Sequence, residues 1–304
     1  MPLKNTPTDP EYIHRFDRAS RFEKEGKHLH ALQVYRQLLE EFPEEDFAIA
    51  ALANLYEKLD KPELGLLLVQ ERLTADPDNL PLRLFAGHYF FRQQAWDATI
   101  EFLAAFSPRE EPLIAFFVGY SYYMLKDYQL AKHFFLVFMD SNQESEFLQD
   151  AFVYLAKACV HLEQFNDALE YVNKASEFYS GYYELHLLYA IIYYYLEMDY
   201  NALQSIEKTL RLNKTDPSVF DWGGRIALKC GEPKKSIKYF EKYQDAGGVL
   251  NADFYSNYGM ALLHSKDIDS AKKHFELALK FEPEHKMAIT GLHLINTEYV
   301  SFEK

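Results

Sequence analysis

The side chains best able to do chemistry in this 304-residue chain are widely scattered. Its 11 histidines include one close pair, His28 and His30, with no third ligand nearby at the spacing that a zinc site uses. Carboxylates pair at Glu40-Glu41, Glu44-Glu45 and Glu110-Glu111. General acid–base work would need two environments that push such a pair's pKa values apart. These pairs instead fall near expected helix ends and in loops, where water solvates both members alike. Cys159 is expected to face a core and Cys230 to sit near a helix end, so no disulfide is expected between them. There is no H-E-x-x-H, C-x-x-C or G-x-S-x-G motif and no Gly-rich phosphate loop. Gly223-Gly224 reads as a packing point. Asn213-Lys214-Thr215 matches a glycosylation sequon, which has meaning only in a secreted chain. The chain therefore reads as a non-enzyme with no catalytic, cofactor-binding or metal-binding residue and no cofactor.

Composition narrows the partners. Apolar residues make up 48% of the chain and aromatics 16%, ample material for a core. Acids outnumber bases by 46 to 32, for a net charge of −14. Residues 1–148 hold 24 acids and 15 bases, residues 149–304 hold 22 and 17, so neither half is basic. Such a field repels phosphate backbones and anionic lipid; it serves either to keep the chain soluble or to steer a basic protein segment toward it. No nucleic acid and no membrane are expected as partners. The opening MPLKNTPTDPEY has no apolar signal region. The tyrosine-rich run Leu185–Leu196 is broken by His186 and ends at Glu197, short of a membrane span. A cytoplasmic location is the expectation.

The elements that would position any site come from a repeat. Units of about 34 residues start near Tyr12, Asp46, Leu80, Pro112, Gln149, Tyr183, Pro217 and Ala252. Apolar or small residues fall at the fourth, seventh, eighth and eleventh places, offsets that share one helix face. The eighth place is always small: Ala19, Ala53, Gly87, Gly119, Ala156, Ala190, Gly224 and Gly259. The twentieth is small as well, from Ala31 and Gly65 to Ser236 and Ala271. Four residues later comes a large one, Tyr35, Val69, Leu103, Phe135, Val172, Ile206, Phe240 and Phe275. A small residue facing a large one lets two antiparallel helices interdigitate at native density. Pro43, Pro77 and Pro283 close second helices, while Gly26-Lys27, Lys126-Asp127 and Lys266-Asp267 mark the turn between helices.

The clearest copy reads Tyr255-x-x-Tyr258-Gly259-x-x-Leu262, then Ala271-x-x-x-Phe275-x-x-Ala278 and Pro283. It resembles the tetratricopeptide repeat, and the resemblance covers about 90% of the chain. The expected fold is an all-α, right-handed α-solenoid of about eight helix-turn-helix units. Residues 1–11 are expected to be flexible, 12–285 to hold the units, and 286–304 to form a capping helix and tail, with Ala288, Leu292, Ile295 and Tyr299 on its stripe. Arg15 and Arg18 suit a first unit with one wet side. The short third unit, ending at Ser107-Pro108, and the surplus residues within Asp140–Phe147 mark the joints where a bend is expected.

The resemblance implies that first helices line a concave surface that binds peptides, through the second, fifth, ninth, twelfth and thirteenth places. At the first two units those places are polar, including Ser20, Glu23, Lys24, Asn54, Glu57 and Lys58. The last two units offer Asp221, Arg225, Lys229, Asp253, Ser256 and His264. The middle offers Leu84, Phe91, Leu113, Phe116, Tyr120, Tyr123, Met124, Leu187, Ile191, Tyr194 and Tyr195. Leu84, Phe91, Phe116, Tyr120, Tyr123, Leu187, Ile191, Tyr194 and Tyr195 are the expected peptide-binding residues, because aromatic rings bury large area at little entropic cost. Packing between neighbouring first helices is the competing use of the same rings. Family members that hold a chaperone's C-terminal carboxylate carry Lys at the fifth and Asn at the ninth place of the leading unit. Here those places hold Phe16 and Ser20, so an acidic chaperone tail is not expected. The expected function is a non-catalytic scaffold for another protein or peptide, basic or amphipathic. The alternative is a structural subunit that forms a homo-oligomer through the apolar stripe or terminal helix.

Overall fold

The computed structural model describes residues 9–43, 45–104, 106, 112–141, 146–178 and 180–299. Among them are 17 α-helices and no strand, an all-α solenoid. Successive hairpins are α1 (Pro10–Lys24) with α2 (His28–Glu41), α3 (Asp46–Lys58) with α4 (Pro62–Ala75), α5 (Leu80–Arg92) with α6 (Trp96–Leu103), and α7 (Pro112–Met124) with α8 (Tyr128–Ser141). They continue with α9 (Leu148–His161) and α10 (Phe165–Phe178), α11 (Tyr183–Tyr195) and α12 (Asp199–Leu212), α13 (Pro217–Lys229) and α14 (Pro233–Asp245), α15 (Ala252–His264) and α16 (Ile268–Phe281). Helix α17 (Lys286–Leu294) runs into a π turn, Ile295–Tyr299. The chain forms two compact units, residues 1–147 and 148–304.

Helix starts follow local chemistry. Asp9 accepts hydrogen bonds from the N–H groups of Glu11 and Tyr12, so α1 begins inside the segment expected to be flexible. Residues 1–8 lie outside those described. Asn79, Asp216, Asn251 and Asp267 cap α5, α13, α15 and α16 in the same way. Prolines occupy the first turn of α1, α4, α13 and α14, where no intrahelical donor is lost.

Every hairpin turns through a left-handed residue at the same place of its unit: Gly26, Asp60, Gln94, Lys126, Glu163, Glu197, Gly231 and Lys266. The next N–H then reaches back to a carbonyl five residues earlier, as Lys27 does to Phe22 and Asp267 to Leu262, at 2.8 and 3.0 Å. This closes the helix end in a Schellman-type motif. Only two of the eight are glycine, so the turn is imposed by the packed hairpin rather than by the residue's own preference.

Small residues meet large ones as the spacing requires. All eight residues of the twentieth place and all eight of the twenty-fourth are buried. A Cβ on Gly87 would lie 2.3 Å from Leu103, one on Gly224 2.5 Å from Phe240, and one on Gly259 2.7 Å from Phe275. Gly119 is the looser case, 3.2 Å from Phe134 and Phe135. In the second unit, Phe275 is clasped from both sides, because Gly291 of α17 also approaches its ring. Ala288 and Ile295 of the expected terminal stripe are buried there, and Leu292 packs beside them. The capping helix expected within 286–304 keeps α geometry only to Leu294, and residues 300–304 lie outside those described.

Arg15 bonds Glu41 at 2.5 Å and Arg18 is exposed, the wet side expected of α1. The two joints expected to bend fall largely on residues 107–111 and 142–145, outside those described. Before the first joint, Arg83 donates to the carbonyls of Glu101 and Phe102, at 2.8 and 3.3 Å, satisfying the end of the short α6. Cys159 is buried, and Cys230 caps α13 half-buried.

Candidate functional site

The polar places of the first helices are tied to one another across hairpins. Glu23 of α1 pairs with Lys58 of α3, and Glu57 of α3 with Arg92 of α5 at 2.6 Å. These pairs run from the twelfth place of one unit to the thirteenth of the next. In the second unit the same step joins Tyr194 to Lys229, whose ammonium lies 4.6 Å from the ring centre and donates to the Tyr194 carbonyl at 2.8 Å. A ring face thus stands at the twelfth place, where a carboxylate stands elsewhere, and Asp199 lies 3.7 Å from the same ammonium.

In the first unit, Phe91 and Tyr120 come together, with ring centres 5.4 Å apart. Trp96 touches both, at 5.6 and 5.5 Å, and Phe117 closes on Phe91 at 4.7 Å. His88 sits edge-on to Phe117 at 5.0 Å, and burial, with Arg92 nearby, holds it below the usual histidine range. The four rings are all half-buried. Tyr123 leans on Tyr128 instead, at 5.6 Å, and burial pushes its hydroxyl up to about 12. Phe116 departs from the expected surface. It is buried against Phe135, Phe138 and Phe147, because its position faces its own hairpin. Leu84 is half-buried against the core of Leu103, Phe106, Ile114 and Val118.

In the second unit, Tyr194 and Tyr195 meet edge-on at 5.4 Å, and Trp222 of α13 touches them at 5.6 and 6.0 Å. Tyr195 stacks on Phe165, with centres 4.6 Å apart and planes within 9°. It is still 45% exposed. Arg225 lies 5.2 Å from the Trp222 ring and pairs with Asp221 at 3.0 Å. Burial raises the hydroxyl pKa of both tyrosines, which keeps them neutral donors at ordinary pH. Burial likewise pushes the Asp221 carboxyl up, against the pull of Arg225. Leu187 packs with Ala190, Ile206 and Val219, and Ile191 is half-buried.

The expected site therefore resolves into residues of different kinds. The sequence reading missed Trp96, Phe117, Phe165 and Trp222, which complete the ring clusters. A signal for two of them was present: α6, α8 and α10 all open on an aromatic residue, Trp96, Tyr128 and Phe165. Each then packs against a first-helix ring. Among the described residues, no three His, Cys, Asp or Glu side chains gather as metal ligands would, and no helix is long and apolar enough to cross a membrane.

Comparison with known proteins bears on the same repeats. The tetratricopeptide repeat family matches residues 252–285. No curated protein sequence matches the chain. Among solved structures, a chain of the APC/C hetero-tetramer Cut9–Hcn1 superposes with a TM-score of 0.61 at 13% identity. The match covers 88% of this chain and 52% of that one, so the present chain spans about half the length of that relative. A double mutant of MamA RS-1 gives a TM-score of 0.50 at 16% identity, over 56% of this chain and 95% of its own. A tetratricopeptide repeat protein from Parabacteroides merdae covers 94% of this chain and 99% of its own, with a TM-score of 0.45 and 13% identity. At such identities the likeness is one of fold. The last hairpin thus matches the tetratricopeptide repeat family in sequence, and the other hairpins repeat its small-on-large packing in an all-α solenoid of the same fold.

Proposed function

We propose that this chain is a non-catalytic scaffold that holds a segment of another protein against its first helices, with aromatic rings as anchors. The fold serves in general as a protein-interaction scaffold, and the similar chain in the Cut9–Hcn1 hetero-tetramer is itself part of a complex. The observation that carries the reading is Tyr195. It is a large ring 45% exposed, yet locked from below by Phe165, Tyr194 and Trp222. A ring already ordered loses little entropy when a partner covers it, and its hydroxyl can orient a partner's backbone. Leu187, Ile191 and Tyr194 support it in the second unit. An amphipathic segment suits the second unit best: an apolar side chain on Tyr195, polar groups toward Asp221 and Lys229. The net charge of −14 favours a segment that is basic overall.

Capture of partners on the immobilised chain, compared with a Tyr195→Ala variant, tests the reading. The variant should lose the bound protein while its urea midpoint stays unchanged. Equal capture by both would refute the assignment of this ring. The competing reading, self-association, draws on Met287 and Ile289 of α17, which are 41% and 48% exposed. Light scattering over a concentration series separates the two, since only self-association makes the mass rise with concentration.

A further inference from the structure

The second helices α12 and α14 carry a charge opposite to that of the chain. Lys208, Arg211 and Lys214 on and just past α12 are exposed, as are Lys234, Lys238 and Lys242 on α14. Among the described residues none of these six has a carboxylate within ion-pairing distance. Lys235, which lies between them, is neutralised internally by Glu207 at 2.6 Å and Glu232 at 3.1 Å. The exposed carboxylates of these two helices are Glu241 and Asp245. Helix α10, by contrast, sets Asp167, Glu170 and Glu177 against Lys174 alone. In a chain of net charge −14, so many unpaired cations on one pair of helices form a local positive field.

The same place holds a cavity of about 570 Å³. Leu210, Phe220 and Tyr239 give it an apolar lining, and Lys214, Lys242 and Asp245 line it as well. The Lys242 ammonium lies 5.8 Å from the centre of the Phe220 ring. Tyr239 is held in place by Gly223, where a Cβ would lie 3.1 Å from its ring. An apolar hollow with two unpaired ammonium groups and a single carboxylate at its edge fits an apolar side chain flanked by carboxylates.

We propose that α12, α13 and α14 form a second docking surface, for an acidic segment of a partner protein. One apolar side chain of the segment enters the cavity between Lys214 and Lys242, and its carboxylates meet the cations along α12 and α14. A nucleic acid would satisfy the cations but leave the apolar lining unmatched, and the rest of the chain would repel its larger footprint. Apart from Phe220 of α13, this surface is made by second helices and the residues just past α12, and it shares no residue with the Tyr195 anchor.

Fluorescence anisotropy with a panel of labelled peptides tests it. Each peptide is about 15 residues of alternating Glu and Ser with one central Leu, Phe, Trp or Ala, a length that spans such a surface when extended. Peptides with a large anchor should bind in the micromolar range, about fivefold tighter than the Ala peptide, and about tenfold or more weaker to Lys214→Glu/Lys242→Glu. Raising salt from about 50 to about 300 mM should weaken them further. Lys272→Glu/Lys273→Glu makes the same charge change on exposed residues of α16 and should bind as the parent does. Lys214→Ala/Lys242→Ala, with circular dichroism, separates lost binding from lost fold. No binding at about 1 mM peptide, the edge of meaningful affinity, would overturn the proposal. So would indifference to the anchor or to the Lys214/Lys242 variants, or equal binding of a single-stranded DNA of matched charge.

Discussion

Two ring clusters of similar composition do different physical work. In the first unit Phe91, Trp96, Phe117 and Tyr120 form a closed knot of half-buried rings, with a neutral histidine against one edge. In the second unit Tyr195 lies open on top of Phe165, and Arg225 and Lys229 lie over the neighbouring rings. The first cluster spends its rings on cohesion between α5, α6 and α7. The second holds one ring clear of its own hairpin. Aromatic residues at the same helical spacing therefore split between packing and surface according to what the next hairpin places beside them.

The largest expected effect lies beneath the clusters. Gly224→Ala in α13 would bring a methyl 2.5 Å from the buried Phe240 ring, whereas Gly119→Ala in α7 meets Phe134 and Phe135 at 3.2 Å. Overpacking should cost the first variant about 2 kcal/mol, while better helix propensity leaves the second near neutral. Urea melts followed by circular dichroism should separate the two. Similar losses in both would mean that the crossings are equally tight.

Next comes the comparison of the rings themselves. Phe91→Ala should destabilise its unit by about 1.5 kcal/mol, since the ring is only half-buried, and Tyr195→Ala by less than about 1 kcal/mol. A Tyr195 variant that melts as early as the Phe91 variant would make both clusters cohesive and remove the open anchor.

A smaller effect is expected from pH. Burial holds His88, beside the first cluster, and His186, in the second unit, below the ordinary value of 6.5, helped by Arg92 and Lys208 respectively. The unfolded chain binds these protons more readily, so their contribution is intact above about pH 6.5 and is lost as the pH falls below it. His88→Phe keeps the contact with Phe117 and should flatten the fall in urea midpoint between about pH 7 and 5. Asp221, beside the second cluster, runs the other way. Its carboxyl is raised by burial, so its contribution is present at low pH and is lost on rising above the ordinary 3.8. An unchanged profile in the His88 variant would show that the histidine is indifferent to its cluster.

The smallest effect concerns the turns beside the clusters. Gln94 precedes Trp96 by two residues and Glu197 follows Tyr195, and both have positive φ, 57° and 58°. Gln94→Gly and Glu197→Gly should each stabilise by about 0.5 kcal/mol, the relief of the left-handed strain outweighing the added freedom of the unfolded chain. Differential scanning calorimetry would register the sign.

Much of the fold could be read directly. The eighth, twentieth and twenty-fourth places placed Gly224 against Phe240 and Gly259 against Phe275, because the helix period ties spacing to face. The turns were only partly legible. Gly26 announced its conformation, but Gln94 and Glu163 carry no such preference and take it because the hairpin closes around them. The candidate site was legible as a stripe and not as a surface. Phe116 and Tyr120 lie one helical turn apart, yet the first is buried in its own hairpin and the second joins Phe91 and Trp96.

What the amino-acid order determined alone is the pairing of helices, since each hairpin's contacts are set within some 34 residues by side-chain size and period. What only the tertiary structure decided is the environment of each ring and charge. Lys229 lies over Tyr194 and Lys58 pairs with Glu23. Trp222 props Tyr195. Those contacts join residues of neighbouring hairpins, whose separation depends on how closely the helices stack, and no local spacing records that distance.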